Sequence, residues 1–232
     1  MLDQIEEKRI PMENVLVIGA NGKTGRLLVK RMAAHSAYNP VAMIRNRDQQ
    51  SYFEEWGVKT VLGDLEKDFS QAFDGIDKVI FAAGSGAKTG KDKTTLVDKI
   101  GAIKSTNLAL EQSVKKFVML SSRGVENAEK ADESMQHYLL AKKEADEHLK
   151  ASSLPHAIVR PGRLTDGPYT GKIKVSSIFN EKGEISREDL AAVLVHMLDD
   201  SLSSPQVFEI LGGKVAIPEA IRLFLTSGQP VI

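Results

Sequence analysis

VLVIGANGKTGRLLVKRMAAH, residues 15–35, decides the fold. Four apolar residues run straight into a glycine, the pattern of a strand buried on both faces. Gly19, Gly22 and Gly25 then recur at every third position, and Thr24 to His35 has the pattern of a helix. In a strand–turn–helix unit each glycine has its own task. Gly19 permits the tight turn, Gly22 lets the backbone approach a pyrophosphate, and Gly25 lets the helix pack on the strand. The helix N-terminus then offers free N–H groups and a positive dipole end to phosphate oxygens. Asn21, Lys23 and Thr24 share the turn and join the candidate cofactor-binding set. The bland alternative is a helix cap with incidental glycines. A P-loop is the rival phosphate site, because Gly22-Lys23-Thr24 resembles its end. That motif requires a glycine at position 17, where this chain has Val17.

Downstream, strand-like and helix-like stretches alternate. VAMIR (41–45), VKTVLGD (58–64), KVIFAAG (78–84), KFVMLSS (116–122) and HAIVRPG (156–162) are the further strands of this pattern. Between them lie a polar segment over Asp48 to Trp56, a long helix from about Lys93 to Ser113 and another from Ser134 to Ala151. Continuous apolar strands separated by helices predict an α/β fold: a doubly wound Rossmann-type parallel sheet with helices on both faces. After Pro161 the chain turns Gly-, Pro- and polar-rich, with a short strand expected near Lys172 to Val175. Ser186 and Asp189 resemble a capping box before LAAVLVHML. QVFEIL (206–211) reads as a strand and residues 217–225 as a last helix. The expectation is one domain over 1–232, with a leader at 1–13 and a small substrate lobe from 161–184 and 204–232. Met12 is an alternative start.

Composition bounds the chemistry. Thirty-one basic and 31 acidic residues balance, and no dense Lys/Arg run marks a nucleic-acid face. The chain has no cysteine, which removes disulfides, thiolate zinc sites and cysteine catalysis. No apolar run approaches the roughly 20 residues that span a membrane. A cytoplasmic location and a monomer or homodimer are the expectations, with a small molecule as partner. The five histidines (35, 137, 148, 156 and 196) show no metal-ligand spacing, so no metal is expected. His137 is read as a surface residue.

The strand ends carry the next signals. Arg45 closes the second strand, where an acidic residue would bind the ribose hydroxyl of NAD and an arginine accommodates the 2′-phosphate of NADP. Arg45 thus favours NADP(H) over NAD(H), against the alternative of a solvated arginine. Asp64, followed by Leu65, could accept the adenine amino group or merely cap a turn. Ala82, Ala83 and Gly84 are small enough for a cofactor to lie against the backbone.

These residues resemble the short-chain dehydrogenase/reductase superfamily, in its atypical branch of single-domain NAD(P)H-binding proteins and NAD-dependent epimerase/dehydratase-like sequences. The resemblance rests on GANGKTG with the following Arg, the Asp64 step, FAAGSG, FVMLSS, YLLAK, IVRPG and ISREDLA, and covers the chain from Val15 onward. It implies an active site of Asn, Ser, Tyr and Lys. Tyr138 and Lys142 match the last two, and Ser122 is the better match for the serine. Ser121 would contact cofactor or backbone instead. Asp98 stands about where the Asn belongs, with a solvated helix aspartate as the alternative. Pro161 and Gly162 would wall the nicotinamide.

Tyr138 and Lys142 lie one helical turn apart, with Met135, Ala145 and Leu149 on the same stripe. Lys142 therefore occupies a face that should point to the core, where a buried ammonium needs acceptors. Ribose hydroxyls and the tyrosine oxygen are the acceptors the resemblance suggests. A nearby ammonium favours a phenolate. Tyr138 would give a proton to a carbonyl oxygen, Ser122 would orient that oxygen, and Lys142 would bind cofactor as well. A core tyrosine beside a snorkelling lysine is the bland alternative.

Two classes of function follow. The first is hydride transfer between NADP(H) and a small carbonyl, quinone or flavin-like substrate. The second is a non-catalytic NADPH sensor. A nucleotide-sugar epimerase/dehydratase is a weaker alternative, since those members usually carry a longer C-terminal domain.

Overall fold

The computed structural model describes residues 12–86, 90–202 and 204–232. The leader, apart from Met12 and Glu13, lies outside the described residues. Strand β1 (Glu13–Ile18) begins two residues before the apolar run, and Val15 to Ile18 are wholly buried. It leads into helix α1 (Lys23–Ala33). The succession continues with β2 (Tyr38–Ile44), a short α2 (Gln50–Glu54), β3 (Lys59–Leu62) and β4 (Lys78–Phe81). A composite helix follows: α3 (Lys91–Lys93), a π-helical stretch Thr94–Gly101 and α4 (Ala102–Glu111). Next come β5 (Lys116–Leu120), α5 (Glu133–Ala151) and β6 (His156–Pro161).

Six parallel strands run in the order β3-β2-β1-β4-β5-β6, and β10 (Gln206–Gly212) adds a seventh parallel strand beside β6. Strands β8 (Lys172–Ser176) and β11 (Val215–Ala216) then extend the same sheet antiparallel. Part of the stretch expected as a lobe is thus continuous with the main sheet. Only β7 (Arg163–Thr165) and β9 (Glu184–Ser186) form a separate two-stranded parallel sheet.

Apolar residues alternate toward two cores. Val15, Val17 and Ile80 pack toward α1, α6 (Arg187–His196) and α7 (Ile217–Ser227). Leu16, Ile18, Val79 and Phe81 pack toward α4 and α5. Strand order reverses between β1 and β4, and a sheet with helices on both faces opens a crevice at the carboxyl ends of its strands there.

The Ser186 cap is present: its Oγ accepts from Asp189 N–H at 3.0 Å. Asp189 does not return the favour to the Ser186 backbone as a capping box would. Its buried carboxylate accepts from Thr170 N–H (2.9 Å), Gly171 N–H (2.7 Å) and the Thr170 and Ser186 hydroxyls (2.9 Å each). The loop before β8 has orphan N–H groups at this point, and they outcompete the cap for the carboxylate. Among the described residues no helix is long and apolar enough to cross a membrane.

Candidate active site

The glycine turn divides into structural and open positions. Gly19 has φ +85°, and a Cβ there would lie 2.6 Å from the Ala83 backbone at the end of β4. A Cβ on Gly25 would sit 2.1 Å from the Gly19 carbonyl oxygen, so α1 can approach β1 only as glycine. Gly22 differs, since its Cβ would meet nothing closer than the Gly19 oxygen at 3.3 Å. Gly22 is also the N-cap of α1, and among the described residues no side chain caps that end. The first-turn N–H groups therefore keep their capacity to bind an anion.

Other turn residues are already engaged. Asn21 Oδ1 accepts from Arg26 Nε (3.1 Å) and Nη2 (2.6 Å), and the Arg26 guanidinium lies 4.1 Å over the Tyr52 ring. Asn21 thus braces the turn with its carbonyl oxygen. Thr24 is buried. Lys23 is exposed and reaches across the groove to Asp166 at 2.6 Å, and Asp166 also holds Arg187 at 2.5 Å.

Around this turn the crevice forms two chambers that share Gly22 and the segment Ala82–Ser85. The first holds about 360 Å³ and the second about 690 Å³. Arg45, Gln49, Asp64 and Leu65 line the first. The Arg45 side chain is exposed and makes no ion pair among the described residues, while its N–H donates to Gln49 Oε1 at 3.0 Å. Asp64 caps a turn, its Oδ1 accepting from Glu66 N–H at 3.1 Å, yet it still faces the chamber. Leu65 is buried and packs where a Gly101 Cβ would come within 2.9 Å.

Ser122, Tyr138, Lys142, Asp98, Pro161 and Gly162 all line the second chamber. Lys142 is 2 % exposed. Its Nζ donates to the Leu120 carbonyl at 2.9 Å, lies 3.9 Å from Asp98 Oδ1 and sits 5.8 Å over the Phe81 ring. The acceptors expected from ribose and tyrosine are thus supplied here by the end of β5 and by Asp98. Asp98 is 1 % exposed, which overturns the solvated-aspartate alternative. It sits in the π-helical stretch, an irregularity often found at functional sites. Its Oδ2 accepts from Ser85 N–H at 2.9 Å, and Oδ1 has no hydrogen-bond partner among the described residues.

The two serines part company. Ser121 borders the second chamber, is buried and donates to Asp146 Oδ2 at 2.8 Å. Ser122 is half-buried, and among the described residues its hydroxyl bonds only to the neighbouring Arg123 carbonyl, at 3.2 Å. Asp146 also accepts from Arg160 Nε at 3.0 Å. Burial pushes its carboxyl above the ordinary range, opposed by Arg160, Ser121 and Lys142.

Sequence reasoning missed Asp146, although it lies four residues past Lys142 on the same stripe and was findable there. His137, read as a surface residue, is half-buried and lines the second chamber. The His137 Nε2 is 2.8 Å from the Lys91 carbonyl and 3.2 Å from Thr95 Oγ1. The composite helix comes close enough to cover what the helical wheel of α5 alone assigns to solvent.

Known proteins resemble this chain in sequence and in fold. The profile of the NAD(P)H-binding family matches residues 19–201. The uncharacterized sugar epimerase YhfK of Bacillus subtilis is 37 % identical over 211 residues, covering 90 % of this chain and 98 % of its own. A solved Bacillus halodurans protein with the provisional name NAD-dependent epimerase/dehydratase is 43 % identical with a TM-score of 0.87, covering 91 % and 99 % of the two chains. The oxidoreductase YlbE of Lactococcus lactis is 27 % identical with a TM-score of 0.81, over 92 % and 97 %.

Proposed function

The chain belongs to the NAD(P)H-binding family, and from that premise we propose an NADPH-dependent oxidoreductase acting on a small carbonyl, quinone or flavin-like substrate, with Tyr138 as proton donor. One observation carries this: Ser122, Tyr138 and the buried Lys142–Asp98 pair line one chamber, which meets the glycine turn. The residues fit a dinucleotide. Gly22 leaves open backbone where two chambers join, and the N-terminus of α1 is uncapped there. Gly19, Gly22, Gly25, Thr24 and Ala82–Gly84 would hold the pyrophosphate side, with Lys23 at its edge. Asp64, Leu65 and Arg45 would hold the adenosine, the arginine selecting the 2′-phosphate. Pro161 and Gly162 would wall the nicotinamide.

When bound, NADPH supplies a hydride to the carbonyl carbon and is left as NADP⁺. Ser122 donates a hydrogen bond to the carbonyl oxygen and fixes its direction. Tyr138 transfers its phenolic proton to that oxygen, completing the alcohol, and regains a proton from solvent through the open chamber. Lys142 stabilises the negative charge that develops on the phenolic oxygen from the next helical turn. Asp98 and Leu120 hold the lysine in place.

The name of the B. subtilis relative favours a second reading, in which hydride is taken up and returned to one sugar substrate. Steady-state assays of NADPH oxidation against carbonyl, quinone and flavin panels separate these, with Tyr138→Phe as the variant. The proposal expects net NADP⁺ formation and at least a hundredfold loss in the variant. Unchanged turnover in Tyr138→Phe overturns the proton-donor role. Substrate isomerisation without net NADP⁺ supports the epimerase. An NADPH-induced rise in melting temperature without any turnover supports a sensor.

A further inference from the structure

We propose that the substrate of this site is an anionic carbonyl compound, held by Lys91 where the composite helix meets His137 at the second chamber. The inference rests on the oxidoreductase reading and names its substrate class. The chain as a whole is neutral, with 31 basic and 31 acidic residues. The second chamber is not. Among the described residues Lys23, Lys91, Lys142 and Arg187 line it, against the single carboxylate of Asp98.

These charges are compensated unequally. Lys142 is offset by Asp98. Lys23 and Arg187 share Asp166 on the glycine-turn side, where cofactor phosphates would lie. Lys91 makes no ion pair among the described residues, lines the chamber and stands at the start of the composite helix. A cation left over in a cleft with low-dielectric walls focuses an attractive field on incoming anions.

His137 braces the Lys91 backbone. The Lys91 carbonyl can only accept, so His137 Nε2 carries the hydrogen of this contact. The contact also ties the Lys91 backbone to the residue just before Tyr138. An anion at Lys91 and a carbonyl at Tyr138 would thus be positioned by one braced unit. Met135, Leu164 and Pro161 give the same chamber apolar surface for the body between the two groups.

The test uses 4-formylbenzoate and its neutral methyl ester as paired substrates with the full chain, and Lys91→Gln as the variant. Calorimetric titration of 4-methylbenzoate into the NADPH-saturated protein gives a readout independent of turnover. The expected result is a kcat/KM at least tenfold higher for the acid than for the ester. That ratio collapses toward one in Lys91→Gln, and 4-methylbenzoate binding weakens with salt and with the variant. Equal kcat/KM for acid and ester overturns the inference and leaves the oxidoreductase reading standing. A preference for the acid that survives in Lys91→Gln also overturns it. If neither these aldehydes nor the carbonyl, quinone and flavin panels are reduced but 4-methylbenzoate binds through Lys91, the oxidoreductase reading fails and the anion site stands. The absence of both reduction and 4-methylbenzoate binding overturns the inference.

Discussion

The Lys142 ammonium and the Asp98 carboxylate lie 3.9 Å apart with 2 % and 1 % of their side chains exposed. Each is fixed by a different lip of the crevice. The Leu120 carbonyl at the end of β5 takes the lysine, and Ser85 N–H beyond β4 takes the aspartate. The pair therefore ties two strand ends to the helix that carries Tyr138, and the site's shape depends on two charges that water cannot rescue.

Removing one partner should cost far more than removing both. Lys142→Met strands a carboxylate whose Oδ1 already lacks a hydrogen-bond donor among the described residues. The expected loss is about 3 kcal/mol of unfolding free energy. Adding Asp98→Asn removes the stranded charge and should restore more than half of it. Urea denaturation of the cofactor-free protein measures both. A loss in Lys142→Met below about 1 kcal/mol would show that the pair is not a buried charge couple.

The three glycines of the turn should separate into folding and binding positions. Gly25→Ala drives a methyl to 2.1 Å from a carbonyl oxygen that cannot move without β1, so the protein should lose most of its stability. Gly22→Ala meets only the Gly19 oxygen at 3.3 Å and should fold with a melting temperature within a few degrees of the unaltered protein. Its added methyl faces the junction of the chambers, so NADPH affinity should fall at least tenfold. Thermal melts and fluorescence titration of NADPH together test this. Undiminished NADPH binding in Gly22→Ala would place the pyrophosphate elsewhere.

Arg45 lines the first chamber with its side chain in no ion pair among the described residues. If it meets a 2′-phosphate, Arg45→Ala should weaken NADPH by tenfold or more and NADH by less than twofold, a difference of about 1.4 kcal/mol per decade. Paired titrations decide it. Equal weakening of both would remove the basis for an NADP preference.

Much of this was legible because the relevant physics is local. Residues 15–35 contain strand, turn and helix in one reading frame, and the Rossmann-type sheet follows from repeating that unit. The core-facing position of Lys142 came from helical spacing alone, and its burial agrees. What escaped were contacts made across long chain separations. β10 joins the sheet beside β6, about fifty residues earlier in the chain. Asp166 meets Lys23 over a separation of 143 residues. The contacts of His137 with Lys91 and Thr95 come from another helix, which a wheel drawn on α5 does not contain. The tie between Asp189 and the Thr170 loop is invisible to a capping pattern for the same reason.

Acid should weaken the fold through His156. That ring is 2 % exposed, its Nδ1–H donates to the Leu154 carbonyl at 2.8 Å, and Nε2 has no partner among the described residues. Burial pushes its pKa below the ordinary 6.5, and the half-buried His196 is lowered for the same reason. The unfolded chain then takes up protons before the folded one does. Stability is full above 6.5 and is lost as pH falls through that value toward the lowered folded one. Asp146 has the opposite sign. Burial raises it above 3.8, so the stability it contributes is present when it is protonated and is lost as pH rises through its folded value. Because the two groups oppose each other, the change in slope on removing one histidine is the clean signal. Urea denaturation at pH 7.5, 6.5 and 5.5 should show stability falling on acidification. His156→Phe should flatten that fall by up to about 1.4 kcal/mol per pH unit. Parallel curves for the two proteins would mean that His156 is protonated as readily folded as unfolded, against its burial and its unpartnered nitrogen.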